Sequence, residues 1–291
     1  MRVYNNIRMA KLLAIDLDGT LFYPKRIKRC ICKKNTKFLR DWIDAGNKVV
    51  LVTSRSKQFT DRLKDEIKRP VDFITCCSSQ IIADDKVIFD KAMPNNKLRK
   101  ILNRIETDYE PIALLMTSEN HPCIIKYSRK VAKIYVLFYR LWWIFQFAYR
   151  EPFIVDDDVF EKELSSAKIY KIMTFIGLRK NKAAISKQTN KELREEYPEI
   201  ESSWTQQVNE LTPRGCNKGN GVERYCQLMG IDSNDVYVVG DSGNDITMFN
   251  KYYEHSYCMK RGHPSARKYA KHIITRVYKL RKLLLRGENY E

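Results

Sequence analysis

The sequence predicts an α/β protein: an open, mainly parallel sheet supplied by the two ends of the chain, interrupted by a smaller α+β unit. Three observations predict it. Continuous apolar runs rich in β-branched residues, such as LLAID at 12–16 and KVVLVTS at 48–54, read as strands buried on both faces. Helical stretches alternate with such runs at both ends of the chain. Between them the pattern changes to paired strands and helices. The expected division is a sheet domain over 1–83 and 208–291 with an inserted domain over 84–207.

The elements follow in order. After LLAID, Asn35 to Ala45 reads as a helix stopped by Gly46-Asn47. Ser56 to Lys68 is a second helical stretch closed by Pro70, and VDFITC is a third strand. This βαβαβ order implies parallel strands with right-handed crossovers. The insert begins with a helix over Asn95 to Thr107, then IALLMTS and CIIKYS as a hairpin around Glu119-Asn120-His121-Pro122. An aromatic helix within Val131 to Tyr149 precedes Asp156, Asp157 and Asp158, read as a solvated loop. The strand AKIYKIMTFIG, a helix near Lys182 to Tyr197, and IESSWTQQVNEL complete the insert. The chain then returns to alternation: a helix over Gly219 to Met229 ended by Gly230, the buried strand DVYVVGD, a helix from Ile246, the strand HSYCM, and a basic C-terminus read as mainly helical.

At 291 residues, 44% hydrophobic and 30% charged, the chain has the composition of a soluble globular protein. The opening MRVYNNIRMAK contains no apolar core of a signal peptide. The eight cysteines form no pair of CxxC units, so a zinc site is not expected, and reduced thiols in a cytoplasm are the simplest reading. Val131 to Tyr149 is nearly long enough to span a bilayer, but Lys133, Arg140 and Gln146 interrupt it. It reads as an amphipathic helix of a soluble protein, with contact at a membrane surface as the second reading. Trp142 and Trp143, facing different sides of that helix, divide the same way between packing and an exposed lid or partner surface.

The net charge is +18, with eight bases and no acid in Lys25 to Arg40, and ten bases and no acid in Lys260 to Gly287. Such a field attracts phosphates. No nucleic-acid motif accompanies it, so a solvated basic face that steers small phosphorylated substrates is preferred over nucleic-acid binding. The oligomeric state is not legible.

Ligands of open α/β sheets bind outside the carboxyl ends of the strands. Strand one ends in Asp16-Leu17-Asp18-Gly19-Thr20, strand two in Thr53-Ser54-Arg55, and strand four in Gly240-Asp241-Ser242-Gly243-Asn244-Asp245, with Lys218 just before the preceding helix. Four carboxylates sharing one cleft need a cation, and oxygen donors without His or Cys point to Mg2+. With a metal present, Asp16 can stay ionised as a nucleophile, and Asp18, its pKa raised among anions, suits acid–base work. A transferring phosphoryl group needs donors around it, which Thr53, the Ser54 N–H, Asn244, Lys218 and the N–H groups of the Leu17-Asp18-Gly19 turn supply. Ser and Thr after a strand also cap helices, and Arg55 is open between an ion pair and a substrate contact.

DLDGT, VTSR, NKG and GDSGND, in this order, resemble the four motifs of the haloacid dehalogenase superfamily of phosphohydrolases. The insertion between the second and third resembles the α/β cap of its Cof-like branch. The resemblance implies a Rossmann-like core with an inserted cap, and Mg2+-dependent hydrolysis of phosphomonoesters through an aspartyl-phosphate. By motif match it implies Asp16 as nucleophile and metal ligand, Asp18 as acid/base and as a metal ligand through its carbonyl, and Asp241 as metal ligand. It also implies Thr53, Ser54, Lys218 and Asn244 at phosphate, and Asp245 in support. The substrate implied is a small phosphorylated metabolite such as a sugar phosphate, with the cap deciding which. Phosphomutase chemistry, or a non-catalytic anion-binding protein on this frame, are the alternatives. The sequence departs from the family at Ser54, where Gly is usual, and at Gly262-His263-Pro264, where Gly-Asn-Ala is common.

Overall fold

The computed structural model describes residues 10–177, 180–205 and 208–285. Residues 1–9 of the N-terminal stretch read for a signal peptide, the side chain of Trp143 and the last residues of the basic C-terminal run lie outside the described residues.

In chain order the strands are β1 (Leu12–Asp16), β2 (Lys48–Val52), β3 (Asp72–Thr75), β4 (Gln80–Ala83), β5 (Lys86–Asp90), β6 (Ala113–Ser118), β7 (Ile124–Tyr127), β8 (Ile154–Val155), β9 (Ile169–Phe175), β10 (Ile200–Thr205), β11 (Val208–Pro213), β12 (Val236–Gly240), β13 (Ser256–Met259) and β14 (His272–Ile274). They form an eight-stranded sheet, order β14-β13-β12-β1-β2-β3-β4-β5, and a six-stranded sheet, order β10-β11-β9-β6-β7-β8. In the first, β14 through β3 are parallel and the β4–β5 hairpin is antiparallel. The predicted α/β class with a mainly parallel sheet is therefore the observed one.

The central strands of the large sheet are buried on both faces, as their apolar runs require. Leu13, Ile15, Val49 and Leu51 face a cluster with Phe38, Leu39 and Trp42 of α1 (Lys33–Asp44) and Leu63 of α2 (Thr60–Ile67). Leu12, Ala14, Val50 and Val52 face Val222 and Tyr225 of the later helix Lys218–Met229. Burying each such large side chain contributes roughly 1.5–3 kcal/mol. Trp42 is wholly enclosed, and its Nε1 donates to the Lys48 carbonyl at 2.9 Å, so the indole leaves no unpaired donor.

The small sheet is covered on one face by α3 (Asn95–Asp108), which contributes Leu98, Ile101, Leu102 and Ile105. On its other face lies α4 (Ala132–Ile144), packed through Ala132 and Val136 on Ala113 and Ile125. The Met93 N–H donates to the Ile169 carbonyl at 2.8 Å and Ser79 Oγ to the Tyr170 carbonyl at 3.0 Å, which sets β9 above the carboxyl ends of the large sheet.

Two readings of local structure change. Asp156 to Asp158 do not form a solvated loop: Asp156 caps α5 (Asp157–Ser166), accepting from the Val159 N–H at 2.9 Å, and Asp157 and Asp158 sit in its first turn. Negative side chains there complement the helix dipole, so the acidic triplet is a helix start. The described part of the basic C-terminus is helical only in pieces. It holds β14, paired with β13, between the helical turn Pro264–Arg267 and the 3-10 turn Val277–Leu280, which continues into the helical turn Arg281–Leu284. A three-residue edge strand is too short to leave a periodic signature. The β4–β5 hairpin turns at Asp84 and Asp85, both with left-handed backbone, and keeps Lys86–Asp90 in the large sheet.

Candidate active site

β1 stops at Asp16 because the chain leaves extended geometry in a wide turn over Leu17–Leu21. Phe22 N–H closes it on the Leu17 carbonyl at 3.0 Å, and Gly19 takes φ +84°. Only glycine fits at that point, since a Cβ would lie 2.2 Å from Asp241 Oδ2. The turn thus presses its backbone against the Asp241 carboxylate at the end of β12, and Thr20 Oγ1 donates to Asp241 Oδ1 at 3.4 Å.

Lys218 is the first residue of the helix Lys218–Met229, whose cap Asn217 accepts from the Asn220 N–H at 3.0 Å. Its Nζ donates to Asp16 Oδ1 and to Asp245 Oδ1, both at 2.6 Å, with all three side chains buried. Asp245 uses its other oxygen on the N–H groups of Asp241 and Ser242, each at 2.9 Å, and so shapes the turn that carries Asp241. Gly240 permits this fold-back, because a Cβ there would meet the Asp245 carboxylate carbon at 2.4 Å.

One carboxylate oxygen from each of Asp16, Asp241 and Asp245 lies within 4.8 Å of the others. Three carboxylates face one ammonium. Burial pushes the Asp16 carboxyl up and Asp245 and Asp241 add to it, while Lys218 pulls the other way. Burial and Asp245 push Asp241 up to about 6. Burial works against the Lys218 charge, but Asp16 and Asp245 hold its ammonium above the usual lysine range. The excess negative charge, the oxygen-only donors and the buried Asp16 Oδ2, without a hydrogen-bond partner, fit a hard divalent cation.

The structure brings Asp16, Asp241, Asp245 and Lys218 together and sets Asp18 apart. The Asp18 carboxylate is about half exposed and bound by Arg55, Nε to Oδ2 and Nη2 to Oδ1, both at 2.8 Å. Arg55 therefore makes an ion pair. It also donates to the Tyr149 carbonyl at 2.9 Å and stacks 4.3 Å from the Phe59 ring centroid. Thr53 is buried just past β2, its Oγ1 accepting from the Arg55 N–H at 3.1 Å. Ser54 does not have a left-handed backbone, so replacing glycine there carries no strain. Leu17 is buried in the turn. Asn244 accepts from Ser242 Oγ at 2.8 Å. The Gly262-His263-Pro264 loop serves the backbone: His263 N–H donates to the Asp241 carbonyl at 2.7 Å.

Several residues at this cleft escaped the sequence reading. Lys171 of β9 is buried, donates to the Ser54 carbonyl at 2.7 Å and approaches Glu210 of β11 at 3.6 Å. Glu151 accepts from the Ser56 N–H at 3.0 Å. Cys76, Cys77 and Ser78 carry φ of 48°, 54° and 78°, a buried left-handed run after β3 that donates to the Arg55 and Thr53 carbonyls. A lysine inside the apolar run of a strand was the available signal for Lys171. The others carry none in local pattern.

A family model described as haloacid dehalogenase-like hydrolase matches residues 13–279. The chain is 24% identical over 253 residues to the 5-amino-6-(5-phospho-D-ribitylamino)uracil phosphatase YwtE of Bacillus subtilis, covering 82% of this chain and 84% of that one. Its fold is similar to that of a haloacid dehalogenase-like hydrolase from B. subtilis, with a TM-score of 0.76, 19% identity, and coverage of 94% of this chain and 99% of that one. It is similar also to the subclass IIB sugar phosphatase BT4131, with a TM-score of 0.72, 19% identity, and coverage of 94% and 98%.

Proposed function

The chain belongs to the haloacid dehalogenase-like hydrolases, in their Cof-like branch, and from that premise we propose that it hydrolyses the phosphomonoester of a small metabolite, with sugar phosphates as the leading class. The observation that carries this reading is the cluster of Asp16, Asp241 and Asp245 around buried Lys218 at the carboxyl ends of the parallel strands.

In this reading the Asp16 carboxylate attacks phosphorus and forms an aspartyl-phosphate as the ester oxygen leaves. Asp18 protonates that oxygen and then takes the proton from the water that cleaves the acyl phosphate. Asp18 reaches this role by loosening its bond to Arg55. Lys218 holds Asp16 in place and, with Thr53, the Ser54 N–H and Asn244, receives the charge of the phosphoryl oxygens. Asp16, Asp241 and the Asp18 carbonyl would hold Mg2+, which neutralises the excess charge and polarises the phosphoryl group. The inserted unit, 84–207 by the sequence division, acts as a cap, and its Lys171, with Glu210 of the neighbouring β11, are the candidates for contacting the rest of the substrate.

The test is inorganic phosphate release from sugar phosphates and p-nitrophenyl phosphate, with Mg2+ or with EDTA, for the parent and Asp16→Asn. Turnover that needs Mg2+ and falls by about 10³-fold or more in Asp16→Asn supports the reading. Equal turnover in the variant refutes the nucleophile, and isomerised hexose phosphate without phosphate release replaces hydrolysis by a mutase reaction.

A further inference from the structure

α4 carries two apolar stripes. Ala132, Tyr135, Val136 and Tyr139 form the one that packs: Ala132 and Val136 are buried, and the Tyr135 and Tyr139 rings meet Phe175 and Phe153 at 5.5 and 5.2 Å. Ile134, Leu137, Phe138 and Leu141 repeat at the same helical spacing on the opposite side, with Phe145 just past the helix end, and all face solvent, Phe138 at 65% and Phe145 at 71% exposure. With about 3.6 residues per turn, Lys133 and Arg140 fall along one edge of this outer stripe and Trp142 along the other. A helix with apolar stripes on two opposite sides is ordinarily enclosed on both, and this one is enclosed on one side only.

The outer stripe runs on into a second feature. Phe145 and Phe147 line a groove of about 1100 Å3 whose other wall is the loop that starts at Lys25 and runs into the first residues of α1, Lys33 and Lys34. Lys25, Arg26, Lys28, Lys33, Lys34 and Arg276 line it, and no acidic residue does among the described residues. Ile27 stands out from the same loop at 65% exposure, and its carbonyl accepts from the Ala148 N–H at 3.5 Å, so loop and helix end are joined.

We propose that α4 and the Lys25–Lys34 loop form one face that docks the protein on an anionic lipid surface. The stripe needs an apolar medium and the groove needs negative charge, and the headgroup–acyl boundary of an anionic bilayer supplies both side by side. A second copy of the chain would cover the stripe only by bringing two such basic loops together, in a protein of net charge +18. A nucleic acid would neutralise the groove and leave the stripe wet. The helix lies in the plane of the surface: its 13 residues extend about 20 Å against a hydrocarbon core of about 30 Å. No helix among the described residues is long and apolar enough to cross a membrane. Lys133 and Arg140 at the edge of the stripe are placed to reach up to headgroups.

The experiment is co-sedimentation of the full chain with vesicles of phosphatidylcholine alone or with roughly one-third phosphatidylglycerol. Binding at least about tenfold stronger to the anionic vesicles, weakened in about 1 M salt, is expected. Paired substitutions Phe138→Asp with Leu141→Asp, and Lys28→Glu with Lys33→Glu, each weaken it by about tenfold or more, with unchanged circular dichroism. The second pair, Lys28 on the loop and Lys33 at the first residue of α1, is exposed and decides the matter if the first disturbs folding. Absence of binding, equal binding to both vesicles, or full binding by the charge-reversed pair overturns the proposal. So does a dimer in solution that Phe138→Asp with Leu141→Asp dissociates, or retention on single-stranded DNA without retention on vesicles.

Discussion

Arg55 binds the Asp18 carboxylate through two parallel hydrogen bonds of 2.8 Å while a third guanidinium nitrogen donates to the Tyr149 carbonyl at 2.9 Å. One side chain from the end of β2 thus ties the proposed acid/base to the segment that returns from α4. If Arg55 acts through Asp18, Arg55→Ala lowers kcat by about 10- to 100-fold and changes KM far less. In an Asp18→Asn background the same change costs little more. Steady-state kinetics of the two single variants and the double variant check this, and full additivity would separate the two residues.

Lys218 is the counter-charge for two buried carboxylates. Lys218→Met leaves Asp16 and Asp245 buried and unpaired with it, and destabilises the metal-free protein by about 3–5 kcal/mol in urea unfolding. Asp16→Asn removes one of three crowded carboxylates instead, so it is expected to unfold near or above the parent's midpoint while losing turnover. A Lys218→Met variant as stable as the parent would contradict this account of the pair.

Gly19 is the point where the turn after β1 touches Asp241. Gly19→Ala places a methyl group on the carboxylate and forces a left-handed backbone on alanine, a cost of about 1–3 kcal/mol. The expected result is a lower Tm, together with weaker Mg2+ binding by titration calorimetry. Gly243→Ala, in the neighbouring loop where a Cβ meets nothing within 4 Å, serves as control.

Asp241 supplies a pH signature. Burial, then Asp245, raises its carboxyl from the ordinary 3.8 to about 6, so the folded state holds this proton more tightly than the unfolded chain. Its contribution to the stability of metal-free protein is fully present below about pH 4 and is lost as the pH rises to about 6. Asp241→Asn lacks that loss. Measured in EDTA, the Tm of the variant minus that of the parent should grow from pH 4 to pH 6 and level off above. A difference that is flat across this window would show that the carboxyl titrates as it does in an open chain.

What could be read from residues alone was whatever depends on near neighbours along the chain. The apolar runs of β1, β2 and β12 announce buried parallel strands, and such strands deliver their final residues to one edge of the sheet, so Asp16, Thr53 and Asp241 were legible as neighbours although far apart in sequence. Lys218 was legible because it opens a helix aimed at that edge. The exposed stripe of α4 was half legible: the periodic aromatics were visible, but not which side of the helix the small sheet would take. The diversion of Asp18 to Arg55, the reach of Lys171 to the Ser54 carbonyl and the joining of the Lys25–Lys34 loop to the end of α4 belong to the tertiary structure alone. Backbone periodicity is set by steric and hydrogen-bonding rules within a few residues. The partner of a charge is chosen by three-dimensional distance and burial, and these exist only after the sheets have packed.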